Sequence, residues 1–165
     1  MSSDSGRGVL LSYQGPVRGL FDDGIDSEVF GSVDDQNSVS DNRLAERVRA
    51  SGLVVVVRVT TVSDEGFDAT GRLEVDLSPV ETPILGSVAS FSKGSDSIRL
   101  ALSPCTLSHS LLRSNQNDLI GKRLILCVGR FIDQGNPVVH WHAMADSPKV
   151  RTAVNAAASV AELVQ

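Results

Sequence analysis

The sequence predicts a mainly β fold with added helices, a five-stranded antiparallel barrel or strongly curved sheet. Three observations predict it. Five β-type runs fall between Leu53 and Met144, a short helix-like segment separates the third from the fourth, and an amphipathic helix closes the chain. A plain α+β sheet with its helices on one face is the alternative arrangement. The 165 residues suit one domain plus an extension.

Residues 1–39 differ from the rest. They are rich in Ser, Gly and Asp, carry acidic residues at Asp22, Asp23, Asp26, Glu28, Asp34 and Asp35, and show no sustained apolar period. That composition reads as a flexible or loosely docked arm, which Phe21 and Phe30 are large enough to pin. Residues 40–165 form the domain. Its first helix spans about 42–50, where Ser40 or Asp41 can cap the free amides, Leu44 and Val48 share a face, and Gly52 supplies the stop.

The strongest strand signal is 53–62. Its unbroken valines imply burial on both faces, and from Arg58 it alternates, with Arg58, Thr60 and Val62 on one side. Asp64-Glu65-Gly66 turns into 72–77, where Leu73, Val75 and Leu77 point in. Pro79 and Pro83 open a loop through Gly86 and Gly94. The third strand, 97–102, puts Ile98, Leu100 and Leu102 on one face. Ser103-Pro104 is a helix start, with Leu107, Leu111 and Leu112 as its buried side. Strands at 123–132 and 138–144 flank the turn Gln134-Gly135-Asn136-Pro137. Ser147-Pro148 then opens a last helix with Val150, Val154, Ala157, Ala161 and Val164 in helical period.

Composition excludes several function classes. A net charge of -5, with basic residues scattered singly or in short pairs such as Lys122-Arg123, argues against a nucleic-acid partner. No apolar run approaches the roughly 18–20 residues of a membrane span. The first residues have neither the basic start nor the apolar core of a signal peptide. A cytoplasmic protein and the mature part of an exported one both fit. Cys105 and Cys127 fit either compartment, as buried thiols or as one disulfide in an oxidising environment.

The candidate chemistry centres on His140-Trp141-His142. Residues two apart on a strand share a side, so both imidazoles could meet one ion such as zinc. Zinc takes three or four protein ligands, and His109, Cys105, Cys127 or an arm carboxylate would have to complete the set. The competing reading lines the polar face of a strand with His140 and His142 while Trp141 packs inward, as Trp141 and Phe131 suit core anchors. No serine sits in a nucleophile elbow and Ser108-His109-Ser110 is no triad. Cys127 reads as core, and Glu74, Asp76 and Glu81 as solvated charges. No Gly-rich phosphate loop occurs. The expected protein is therefore no enzyme and carries no cofactor; a metal-dependent enzyme or metal carrier built on His140 and His142 is the alternative.

The run Gly52-Leu53-Val54-Val55-Val56-Val57-Arg58-Val59-Thr60-Thr61-Val62 is followed by Leu119-Ile120-Gly121-Lys122-Arg123-Leu124-Ile125-Leu126 and by His140-Trp141-His142. That pattern is similar to small predicted lipoproteins of deltaproteobacteria, myxobacteria among them, from about Ser40 onward. The strand–strand–strand–helix–strand–strand order more loosely resembles the OB-fold and its netrin/TIMP-like relatives. The inhibitory members of that group use an N-terminal cysteine, which this chain lacks, so no inhibitory residue carries over. The lipoprotein resemblance implies a tethered domain of the periplasm or outer-membrane surface, with Met1 standing for an acylated cysteine, its lipid anchor, and residues 2–39 as the tether. The expected function is a non-enzymatic binding or assembly module of the cell envelope with a protein partner, presenting the loop at 79–95 and the turn at 133–137. A cytoplasmic adaptor subunit is the other reading.

Overall fold

The computed structural model describes residues 10–26, 29, 41–64, 73–91, 97–103, 106–114 and 116–164. In chain order the elements are β1 (Leu11–Ser12), α1 (Pro16–Leu20), β2 (Gly24–Ile25), α2 (Asp41–Ala50), β3 (Leu53–Asp64), β4 (Leu73–Pro79), β5 (Ile98–Leu102), α3 (Leu107–Ser114), α4 (Gln116–Leu119), β6 (Arg123–Asp133), β7 (Asn136–Ala145) and α5 (Pro148–Val164). None of the described helices is long and apolar enough to cross a membrane.

The valine run dictates the layering. Val54, Val55, Val56 and Val57 are all fully buried, so β3 needs cover on both faces. On one face Val54 and Val56 pack with Ile125, Cys127, Phe131 and Met144 under α2 and α5. On the other, Val55, Val57 and Val59 pack with the inward residues of β4 and β5, with Leu112 of α3, Leu119 of α4 and Trp141. Helices thus cover both faces, which replaces the one-sided alternative.

All five predicted strands are present, as β3 to β7, and each pairing among them is antiparallel. Their closure is not. The sheet is mixed and seven-stranded, ordered β2-β7-β6-β3-β4-β5 with β1 on β6, and it remains open. The five-stranded OB-like barrel is corrected on this point: closing it would need the outer edge of β7, and β2 holds that edge in parallel pairing with His142 and Ala143.

A second correction falls on β3. Its register shifts between Val59 and Thr61, so Thr60 and Thr61 both face solvent and Val62 returns to the side of Val59. Asp76 fixes this bulge, its backbone carbonyl accepting from Thr60 Oγ1 (3.0 Å) and its carboxylate from Thr61 Oγ1 (2.7 Å). The turn predicted at 64–66 lies mostly outside the described residues. At the other hairpin, Gln134 (φ 52°) and Gly135 (φ 81°) turn β6 into β7 as a two-residue loop.

The loop after β4 is docked. Val80 N–H donates to the Val56 carbonyl (3.0 Å), and Leu85 bridges Val54. Gly86 (φ 79°) seals the contact, because a Cβ there would run into the Gly52 carbonyl oxygen. Residues 92–95, the rest of the predicted loop surface, lie outside the described residues. α5 starts as predicted, Ser147 Oγ accepting from the Val150 N–H (3.2 Å) with Pro148 in the first turn. α3 begins later than 103–104; Thr106 Oγ1 caps it by accepting from the His109 N–H (3.1 Å), and Pro104 lies outside the described residues.

Candidate functional site

The β6–β7 hairpin outruns β3, whose last pair with it is Leu53–Val128. Residues 10–26, read from sequence as a loosely docked arm, fold onto this hairpin. β1 pairs with the overhang at Phe131 and Ile132, and β2 pairs with the outer edge of β7 at His142 and Ala143, level with the part of β6 that β3 covers. Between them, Gly15 (φ 58°) and Pro16 start the single-turn helix α1, which drives Phe21 into the core. Phe21 lies 4.9 Å from the Phe131 ring at 56°, the pinning role that its size predicted. Phe30 lies outside the described residues.

Polar groups complete the docking. Tyr13 Oη donates to the Phe21 carbonyl (2.6 Å), and Arg47 Nε of α2 donates to the Leu20 carbonyl (2.7 Å). Asp23 N–H donates to the Trp141 carbonyl (2.8 Å) and Asp26 N–H to that of Ala143 (2.9 Å). Ser108 Oγ of α3 accepts from the Ile25 N–H (2.8 Å) and lies 3.1 Å from the Ile25 carbonyl.

His140 and His142 do share a side of β7, as the spacing predicts. Their ring nitrogens meet three different carboxylates. His140 Nδ1 is 2.7 Å from Asp23 Oδ2, and the same carboxylate accepts from the Trp141 N–H (2.9 Å). The Tyr13 ring stacks on His140 at 3.7 Å and 6°. His142 is buried, with Nδ1 2.7 Å from Asp22 Oδ1 and Nε2 2.7 Å from Asp26 Oδ1.

A carboxylate only accepts, so both His142 contacts are hydrogen bonds only when both ring nitrogens carry hydrogen. Burial pulls the His142 pKa down, but the hydrogen bonds it donates to Asp22 and Asp26 outweigh it and the net shift is upward. Asp22 mirrors this: burial raises its pKa, the bond to His142 outweighs that, and the carboxyl sits below its ordinary value. Arg47, buried and depressed by desolvation, adds a second cation on the α2 side. Tyr13 is pushed up to about 12 by burial and by Asp23.

This arrangement fixes a segment in place. In the imidazolium form His142 has no lone pair left for an ion or a substrate proton. Among the described residues, no Ser, Thr or Cys side chain is hydrogen-bonded to either imidazole ring, and no three His, Cys, Asp or Glu side chains form a metal-sized group. The predicted arm carboxylates do reach the histidines, as separate partners and not as one ligand set. His109, a candidate third ligand, is buried on α3. Cys127 is a buried free thiol facing α2, on the opposite side of the sheet from Leu112 of α3. Its predicted disulfide partner Cys105 lies outside the described residues. An open depression of about 370 Å³ is lined by Val29, Lys122, Arg123, Ala145 and Asp146. Lys122 Nζ there donates to the Val29 carbonyl (2.7 Å), and Asp146 pairs with Arg151 at 2.8 Å.

Sequence reasoning named Asp22, Asp23 and Asp26 as part of an acidic arm whose carboxylates were candidate metal ligands and weighed Ser108 only as a triad member, and it missed Tyr13 and Arg47 altogether. The carboxylates lie 116 to 120 residues from the histidines, so no local spacing joins them. No family model matches this chain, and no curated protein or solved structure matches it either.

Proposed function

We propose that this domain is a non-enzymatic binding or assembly module of the bacterial cell envelope, and that it meets a protein partner with the overhanging end of the β6–β7 hairpin. The observation that carries this reading is the use made of the polar side chains around the histidines: they bind one another across the fold and leave the overhang as the distinctive surface. That end carries exposed Val139, which pairs with Arg130, and exposed Leu10 lies on the other side of Arg130 ahead of β1, with exposed Leu11 on the opposite face. Apolar side chains grouped at a protruding hairpin suit contact with a protein better than with solvent. The similarity to small lipoproteins supports the envelope placement, with residues ahead of β1 as the tether.

The test combines location and surface. Cells making the natural gene product are fractionated, and the protein is captured from the envelope fraction after mild cross-linking. Val139→Lys together with Leu10→Ser should remove the cross-linked partner while leaving the thermal transition within a few degrees of the parent. An unchanged set of cross-links, or recovery of the protein in the cytosol alone, refutes the reading.

A further inference from the structure

We propose that His142, held as an imidazolium between Asp22 and Asp26, is a proton-operated latch that keeps residues 22–26 on the outer edge of β7, and that loss of one ring proton frees them. This latch goes beyond the binding role above and does not depend on it.

The argument is geometric. Both ring nitrogens lie 2.7 Å from carboxylate oxygens. A neutral imidazole keeps one N–H, so one nitrogen would turn a lone pair on a carboxylate at that distance. One of the two bonds would then become a repulsion. Other contacts also hold this stretch, and the latch acts on top of them. β2 is two residues long with Ile25 buried, and its neighbours add the Asp23 and Asp26 amide bonds to β7, the Asp23 carboxylate bonds to His140 and the Trp141 N–H, and the Ser108 bonds to Ile25. Phe21 and the Arg47–Leu20 bond lie N-terminal to it and anchor α1 without the latch.

The groups facing His142 all bear on the direction. Asp22 and Asp26 from the N-terminal segment favour the cation. Arg47 from α2 opposes it. Cys127, its cross-strand neighbour on β6, is neutral, burial having pushed its thiol up to about 11. His140, two residues away on β7, has its own carboxylate in Asp23. Because the His142 pKa is raised, the latch is fully engaged below the ordinary histidine value of about 6.5 and is lost as pH rises through the higher folded value. On the acid side the Asp22 arm of the latch holds until Asp22 protonates, below the ordinary aspartate value.

The experiment uses the 15N-labelled chain. Long-range proton–nitrogen correlations report both ring nitrogens of His142, and amide exchange reports the backbone. His142 should be doubly protonated at pH 6.5 and titrate above it. Across that step the protection factors of the Asp23 and Asp26 amides should fall at least tenfold, while those of Val55 and Leu126 hold. In His142→Gln the step should vanish, and Asp26→Asn should move the histidine titration down. A His142 titration at or below 6.5 overturns the latch. So does a step that survives in His142→Gln, a titration unmoved in Asp26→Asn, or a simultaneous loss of protection at Val55, which would mean that the whole sheet opens. Should His142→Gln fail to fold, the parent titration and Asp26→Asn decide.

Discussion

Phe21→Ala should loosen α1 and its flanking residues from a sheet that stays folded. Phe21 has no exposed surface and its ring lies 4.9 Å from that of Phe131. Truncating a buried phenylalanine costs about 3–5 kcal/mol. Besides the short β1–β6 and β2–β7 ladders, three backbone bonds tie the segment to the sheet, from Tyr13 to Ile132, Asp23 to Trp141 and Asp26 to Ala143. At about 0.5–1.5 kcal/mol net each, they supply about as much as the ring alone. Removing the ring therefore takes away a large share of what holds the segment, and little of what holds β3 to β6. The assay is limited trypsin cleavage after Arg18, in α1, under conditions where cleavage follows the opening equilibrium. At about 1.4 kcal/mol per tenfold, a loss of 3 kcal/mol or more raises the cleavage rate by two orders of magnitude or more. The far-UV circular dichroism of the variant should stay close to the parent's. A rise of less than tenfold, or a loss of sheet signal in step with cleavage, would refute the idea that this ring is the local anchor.

Three further outcomes follow from the same geometry. Gly86→Ala should lower the thermal midpoint by several degrees, since it sets a methyl group against the Gly52 carbonyl at a positive φ; a cost of about 1–3 kcal/mol is expected, and an unchanged midpoint would mean that the docked loop gives way easily. Cys127 should resist a thiol reagent at pH 8 until the protein unfolds, because burial pushes its pKa up to about 11; fast native-state labelling would show that β6 opens readily. Asp22 has a depressed pKa, so its contribution is present above the ordinary aspartate value and lost as pH falls through the lower one. Urea midpoints measured from pH 5 to pH 2 should therefore slope less steeply in Asp22→Asn than in the parent.

The sequence was most readable where burial follows a simple period. Leu73, Val75 and Leu77 on β4, and Ile98, Leu100 and Leu102 on β5, alternate inward as their spacing predicts. The doubly buried valines of β3 were equally plain. Three features gave no such signal. The bulge at Thr60 and Thr61 inserts one residue, and its cause, Asp76, stands on the neighbouring strand. β1 and β2 are two residues each, too short to show any period. Barrel closure depends on which edges meet, and strand count and order do not say that β2 takes the edge of β7.

The site shows the same division. Alternation along a strand settles that His140 and His142 point the same way, and it settles nothing about a common ligand. Two residues along a strand advance about 6.6–6.8 Å. Donors to one zinc ion lie within about 2 Å of it, so both rings would have to lean well toward each other to share it. A second strand alongside meets them without any leaning, because it has the same repeat. β2 runs parallel to β7, with Gly24 beside His142, and brings Asp22, Asp23 and Asp26 along the same row. Each ring can then take its own carboxylate at 2.7 Å, and His142 can take two. A His-x-His pair on a strand is thus as well suited to an acidic strand as to a metal, and what decides between them is the segment that docks beside it.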